Sequence, residues 1–227
     1  MNFKIALDGP SGAGKSSLAK LIAARLGILY VDTGAMYRSI GLYMQMHDIS
    51  PDDEERVIRA LPSVDLDIRF EDGEQRIYLC GEFVGDRIRT PEISMYASRV
   101  SAIGDVRAFL LDAQRSLAKE NSVIMDGRDI GTVIFPDAEV KIFLTASAEA
   151  RARRRLLELS AKGIITTYED VLSDMKKRDK NDSEREIAPA VAAEDAVVLD
   201  NSLLSVEETV NAAVSIIENK LSERMPL

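Results

Sequence analysis

The sequence predicts an α/β domain built on a small parallel sheet of five strands. Short apolar runs alternate with longer segments of helical period. A glycine-rich loop sits between the first such run and the first helical segment, and the composition is 46% hydrophobic and 30% charged, the mixture of an ordinary globular protein.

The strands are expected at Lys4 to Leu7, Ile28 to Val31, Val123 to Met125, Val140 to Leu144 and Ala196 to Leu199. Apolar residues at helical spacing mark Lys15 to Leu26, Pro91 to Lys119 and Ser205 to Leu221 as helices covering the sheet. The second of these is long enough to break near Gly104. Ser205 with Glu208 makes a capping-box pattern at the start of the third.

Residues 64–85 depart from this rhythm. Val64 to Phe70 alternates at period two, Glu71-Asp72-Gly73 reads as a turn, and Arg76 to Leu79 alternates again, which predicts an antiparallel insert. It is either a peripheral hairpin or part of an acceptor-binding lobe. A chain of 227 residues exceeds a minimal domain of this type, so an insertion or small second lobe is expected.

The formal net charge of −9 opposes binding to a nucleic-acid polymer, because such binding draws on Lys and Arg spread along a basic surface. A small anion in a local arginine pocket remains compatible with it. Cys80 is the single cysteine, so no intramolecular disulfide forms, and a reducing cytoplasm is the expected compartment. The N-terminal run lacks the charged, apolar and small-residue regions of a signal peptide, and no apolar run reaches the roughly 20 residues that span a bilayer.

Gly9-Pro10-Ser11-Gly12-Ala13-Gly14-Lys15-Ser16 has the spacing of a P-loop, with a strand before it and a helix after it. Such glycines let successive backbone N–H groups turn inward and cradle phosphate oxygens at a helix N-terminus. The loop from Gly9 to Ser17 is therefore the expected ATP site, with Lys15 placing its charge between the β- and γ-phosphates. Ser16 or Ser17 offers a hydroxyl towards Mg2+. Asp126, closing the run Val123-Ile124-Met125, is a metal partner, direct or through water, or else a cap on the next turn.

Phosphoryl transfer between two nucleotides concentrates negative charge, so arginines are the expected signature. Arg151, Arg154 and Arg155 stand at i, i+3 and i+4, where a helix would converge them on a polyphosphate or leave them on a solvated face paired with Glu149 and Glu158. Arg178, Asp182 and Arg185 fall at i, i+4 and i+7, which makes Asp182 either an orienter of both guanidinium groups or a rung in a surface ladder. Lys162-Gly163 and Arg178 bracket a lid. Asp126-Gly127-Arg128-Asp129-Ile130-Gly131-Thr132 follows a strand, where sheets of this kind bind ligands: Arg128 to bridge phosphates, Asp129 to accept from an amino group such as cytosine N4. An acceptor that is itself a phosphate needs no general base, so His47 as the single histidine is read as a surface residue.

Taken together, the P-loop, Asp32-Thr33-Gly34-Ala35-Met36-Tyr37-Arg38, Asp126-Gly127-Arg128-Asp129 with Gly131-Thr132-Val133 and Phe135-Pro136, and Arg178-Asp179 with Asp182 and Arg185 resemble the bacterial cytidylate kinases over nearly the whole chain. The resemblance implies a three-layer P-loop fold with a five-stranded parallel sheet, a mobile lid and an enlarged acceptor lobe carrying the antiparallel insert. It implies a core of residues 1–32, 120–150 and 190–227, a lobe of about 33–119 and a lid of about 151–189.

The activity it implies is transfer of the γ-phosphoryl of ATP to CMP or dCMP with Mg2+, by a monomer. Carried over by position, Ser98, Arg107 and Asp129 resemble cytosine readers, Arg178 and Asp182 the sugar-contacting pair, and Arg38, Arg128 and Arg185 the acceptor-phosphate clamp. Thr33 stands where the family commonly has Ser, and Ser16 where it commonly has Gly. Lys15, Arg128, Arg151, Arg155 and Arg185 are the expected catalytic cations. Two rival readings stay open on the residues: a kinase for another nucleoside monophosphate or for a small alcohol such as shikimate, and a nucleotide-gated switch without a second substrate.

Overall fold

The computed structural model describes residues 2–224. Among them the five expected runs pair as one parallel sheet: β1 (Lys4–Asp8), β2 (Leu29–Asp32), and, after a smaller sheet, β6 (Val123–Asp126), β7 (Val140–Thr145) and β8 (Val197–Asp200). Their spatial order is β2-β6-β1-β7-β8. Every strand runs one residue past its apolar run, and in each case the added residue is polar: Asp8, Asp32, Asp126, Thr145 and Asp200. Apolar patterning cannot register such residues, yet they form the carboxyl edge, where ligands bind in sheets of this type.

Side chains alternate across the sheet and separate two apolar layers. Ile5 and Leu7 point to α1 (Lys15–Leu26) and α8 (Val206–Arg224), meeting Leu18, Ile22, Ala213 and Ile217. Ala6, Val31 and Met125 face the other way, towards Leu111 and Leu117 of α5 (Gly104–Leu117). Each fully buried Ile or Leu in these layers contributes about 1.5–3 kcal/mol by leaving water. Helices on both faces of a parallel sheet give the expected three layers.

The long helical segment divides as anticipated near Gly104, into α4 (Pro91–Val100) and α5. Thr90 caps α4 by accepting from the Ile93 N–H, with Pro91 at the first helical position. At α8 the capping box is reciprocal: Glu208 accepts from the Ser205 N–H, and Ser205 Oγ accepts from the Glu208 N–H. Helix α2 (Thr33–Met46) left little trace in the periodicity because it is buried nearly all round, Ser39 to Met44 included, and so has no polar face to alternate with the apolar one.

The insert forms β3 (Leu66–Glu71), β4 (Glu74–Leu79) and a short third strand, β5 (Glu82–Phe83), in one antiparallel sheet. Asp72 and Gly73, at φ 54° and 78°, make the tight turn between β3 and β4. Ile77 and Leu79 bury against the cluster that holds Met36 and Ile40 of α2, so this sheet is seated on the lobe. A short α3 (Glu54–Ala60) precedes it, and α6 (Ala148–Ala161) and α7 (Tyr168–Glu184) form a hairpin with its own apolar cluster of Ala152, Leu159, Val171 and Met175. Among the described residues no helix is long and apolar enough to cross a membrane.

Candidate active site

The loop from Gly9 to Gly14 leaves the end of β1 and turns into α1 with Gly9, Gly12 and Gly14 at positive φ. Gly9, at φ 144°, lies so close to the Leu144 carbonyl of β7 that a Cβ would collide with it. The Lys15 ammonium is buried and donates to the Pro10 carbonyl at 2.8 Å. Burial, then the neighbouring Arg128, push it well below the ordinary lysine range, while Asp126 and Asp8 pull it back. A desolvated cation with this little compensation favours an incoming anion.

Two carboxylates stand beneath the loop. Asp8 accepts from the Ile130 and Gly131 N–H groups, both at 2.8 Å, and so pins the segment after β6 to the end of β1. Burial raises it to about 6 against those two hydrogen bonds. Asp126 accepts from the Ser16 hydroxyl at 2.7 Å and the Tyr30 hydroxyl at 3.2 Å. Burial and then Asp32 raise Asp126 to about 6, and burial followed by Asp126 itself pushes the Tyr30 hydroxyl up.

The remaining cations gather around three further acids. Asp182 of α7 meets Arg128 Nε at 3.0 Å, Arg178 Nε at 4.0 Å and the Ser98 hydroxyl of α4 at 3.4 Å. Burial pushes Asp182 up, and Arg128 and Arg178 more than reverse it. Asp129 pairs with Arg107, whose guanidinium also donates to the Ser101 carbonyl and lies 5.6 Å from the Tyr37 ring centre. Arg185 lies 3.8 Å from Asp129, and burial, then Arg107, lower it. Arg38 binds Asp32 at 3.0 Å, in space that Gly34 leaves open, since a Cβ there would press on both side chains.

This cluster is short of acceptors. Arg38 Nε, Arg178 Nε and Arg185 Nη2 are buried without a hydrogen-bond partner. Burial, then Arg128, bring Arg178 down to about 10, although Asp182 stands beside it. Orphaned guanidinium donors at this density mark a place for an anionic ligand with several oxygens.

Several expectations need correction. Of the two hydroxyls it is Ser16, not Ser17, that donates to Asp126. Asp126 caps no turn. Arg151, Arg154 and Arg155 each bind a protein partner. Arg151 is buried, donates to the Ala146 and Ser11 carbonyls and grips Asp179 with both terminal nitrogens, at 3.1 and 2.6 Å. Arg154 binds the Asn201 side chain and carbonyl, and Arg155 pairs with Glu158. Arg185 lies one residue past the end of α7, and Asp182 binds Arg128 and Arg178 directly while Arg185 also helps to lower it. The Thr33 hydroxyl donates to the Asp126 carbonyl at 2.7 Å.

The periodic reading also missed Asn201, whose amide donates to the Ala13 carbonyl at 3.0 Å, and Asp179, which orients Arg151. Asp8 had a signal: an acid directly before the first loop glycine, at a strand end.

Among known proteins, the family model for cytidylate kinase matches residues 5–219. The cytidylate kinase of Caldicellulosiruptor bescii is 52% identical over 214 residues, covering 94% of this chain and 95% of that protein. That of Thermosipho melanesiensis is 48% identical over 221 residues, covering 97% and 99%, and that of Lactobacillus johnsonii 45% over 218, covering 96% and 95%. Among solved structures, an uncharacterized protein from Eubacterium ventriosum aligns with a TM-score of 0.53 at 13% identity, over 96% of this chain and 99% of that one, a likeness of fold alone.

Proposed function

The chain belongs to the cytidylate kinase family, and on that premise we propose that it transfers the γ-phosphoryl group of ATP to CMP or dCMP, releasing ADP and CDP or dCDP. The observation that carries the reading at this site is the set of buried guanidinium N–H donors without a hydrogen-bond partner on Arg38, Arg178 and Arg185, with Arg178 in the repulsive field of Arg128 and Arg38, and Lys15 in that of Arg128 and Arg178.

In the proposed reaction an oxygen of the acceptor phosphate attacks the γ-phosphorus, the bond from that phosphorus to the β-phosphate bridging oxygen breaks, and its electron pair leaves with ADP. The acceptor phosphate is largely dianionic near neutral pH, so no side chain has to remove a proton. Backbone N–H groups of residues 11–17 and the Lys15 ammonium hold the donor, while Arg38, Arg128 and Arg185 hold the acceptor phosphate. Positioned cations stabilise the charge that spreads over the transferring group. Arg178 and Asp182 face the sugar. Arg151, bound to the Ser11 carbonyl and to Asp179, acts by holding the loop to the lid hairpin.

The donor set fits Mg2+: a hydroxyl and a carboxylate, Ser16 and Asp126, stand together at the foot of the phosphate loop, and hard oxygen ligands suit that ion. Bound there, it would neutralise charge on the donor phosphates.

For the base, Asp129 accepts from the cytosine amino group and Arg107 and Ser98 meet the remaining polar edge. A uracil oxygen in the amino position would face the Asp129 carboxylate and leave it unsatisfied. We read residues 33–119 as the acceptor lobe and 151–189 as the lid over a core of 1–32, 120–150 and 190–227, working as a cytoplasmic monomer. An ADP-release assay across CMP, dCMP, UMP, dTMP, AMP and shikimate tests the reading. Turnover highest with CMP or dCMP is expected; a flat response to all six would overturn it.

A further inference from the structure

Strand β2 is an edge of the parallel sheet, with β6 on one side and no strand on the other. An open edge leaves backbone donors in need of a partner. At Asp32, the last residue of β2, that partner is a side chain from the antiparallel sheet: Gln75 Oε1 accepts from the Asp32 N–H at 2.6 Å, across 43 residues of sequence.

Asp32 is the hinge of three contacts. Its N–H goes to Gln75, its Oδ1 accepts from the Ala35 N–H at 2.8 Å and so caps α2, and its Oδ2 holds Arg38 at 3.0 Å. Gln75 is itself firmly placed, since it lies opposite Phe70 in the hairpin register and two residues before the buried Ile77. Phe70 packs beneath Val31 and Met125, and Ile77 beneath α2, so the hairpin bears on both sides of the β2–α2 junction. Two buried donors near this junction, Gln75 Nε2 and Arg38 Nε, have no partner.

We infer that Gln75 is a positioning residue for acceptor binding: by closing the open edge at Asp32 it fixes the Asp32–Arg38 pair, and through it the place of the Arg38 guanidinium. This gives the antiparallel insert a task in the reaction. The inference rests on the reading of Arg38 as a ligand of the acceptor phosphate. The phosphate loop follows β1, with β6 standing between it and β2.

The test uses the full chain. Gln75→Met keeps the length and removes the acceptor, Gln75→Asn keeps the amide but falls one methylene short, and Arg38→Met removes the guanidinium. With a hydrogen bond of ordinary strength lost, both Gln75 variants should raise KM for CMP by about three- to tenfold while leaving KM for ATP and the thermal midpoint close to the parent values. Adding Gln75→Met to Arg38→Met should raise KM for CMP no further. An unchanged KM for CMP in both Gln75 variants, an equal rise for ATP, or full additivity with Arg38→Met overturns the inference. If Arg38→Met alone leaves KM for CMP unchanged, the reading of the acceptor site falls, and the inference with it.

Discussion

The Ser16 hydroxyl donates to Asp126 Oδ2 at 2.7 Å, joining the first turn of α1 to the end of β6 across 110 residues of sequence. Ser17, one residue on, makes no such bond to Asp126 among the described residues. A helix turns by 100° per residue, so only one of two adjacent hydroxyls can face the carboxylate.

This geometry separates three variants. Ser16→Ala should lower kcat about tenfold, and Asp126→Asn about a hundredfold or more, if both act on charge at the transferring phosphoryl group. Ser17→Ala should stay within about twofold of the parent enzyme. Steady-state kcat at saturating ATP and CMP reads all three. Equal losses in the two serine variants would refute the assignment of Ser16.

Arg151 and Arg155 are four residues apart on α6 but differ in surroundings. Arg151 is buried and grips Asp179 with two nitrogens, whereas Arg155 and Glu158 form a pair at the surface. Breaking the first leaves Asp179 and the Ser11 carbonyl without their cation, so Arg151→Ala should cost about 3 kcal/mol. Arg155→Ala should cost less than about 0.5 kcal/mol. Urea unfolding of both variants checks the contrast, and similar losses would contradict it.

Asp8 ties stability to pH. Its carboxyl is raised to about 6 in the folded protein by burial, from the usual 3.8. The folded state therefore takes up this proton more readily than the unfolded chain. The resulting stabilisation is fully present below about 3.8 and is lost as pH rises through about 6, a swing on the order of 3 kcal/mol. Asp8→Ala removes the titrating group together with the oxygens that accept from the Ile130 and Gly131 N–H groups. Its destabilisation relative to the parent protein should then be larger at pH 4.5 than at pH 7.5. Chemical denaturation at the two pH values measures this, and a pH-independent difference would show that Asp8 does not titrate in this range.

Much of the scaffold was legible in the residues. All five strands of the parallel sheet, the loop before Lys15, the break near Gly104 and the Ser205–Glu208 box were marked by patterns within a few neighbours. Helix α2 was not, because burial on every side erases the contrast between faces. The third strand of the small sheet, Glu82–Phe83, is two residues long and carries no alternation to detect.

The site divides along the same line. The chain by itself marked the loop and the strand-end acids, since glycines that bend a loop and acids that end a strand act through local backbone geometry. Only the tertiary structure decided who meets whom: Arg154 with Asn201, Arg185 with Asp129, Arg128 with Asp182, and Gln75 with the Asp32 N–H. A guanidinium has no local preference among several carboxylates, and its partner is whichever one the packing of distant elements brings within reach.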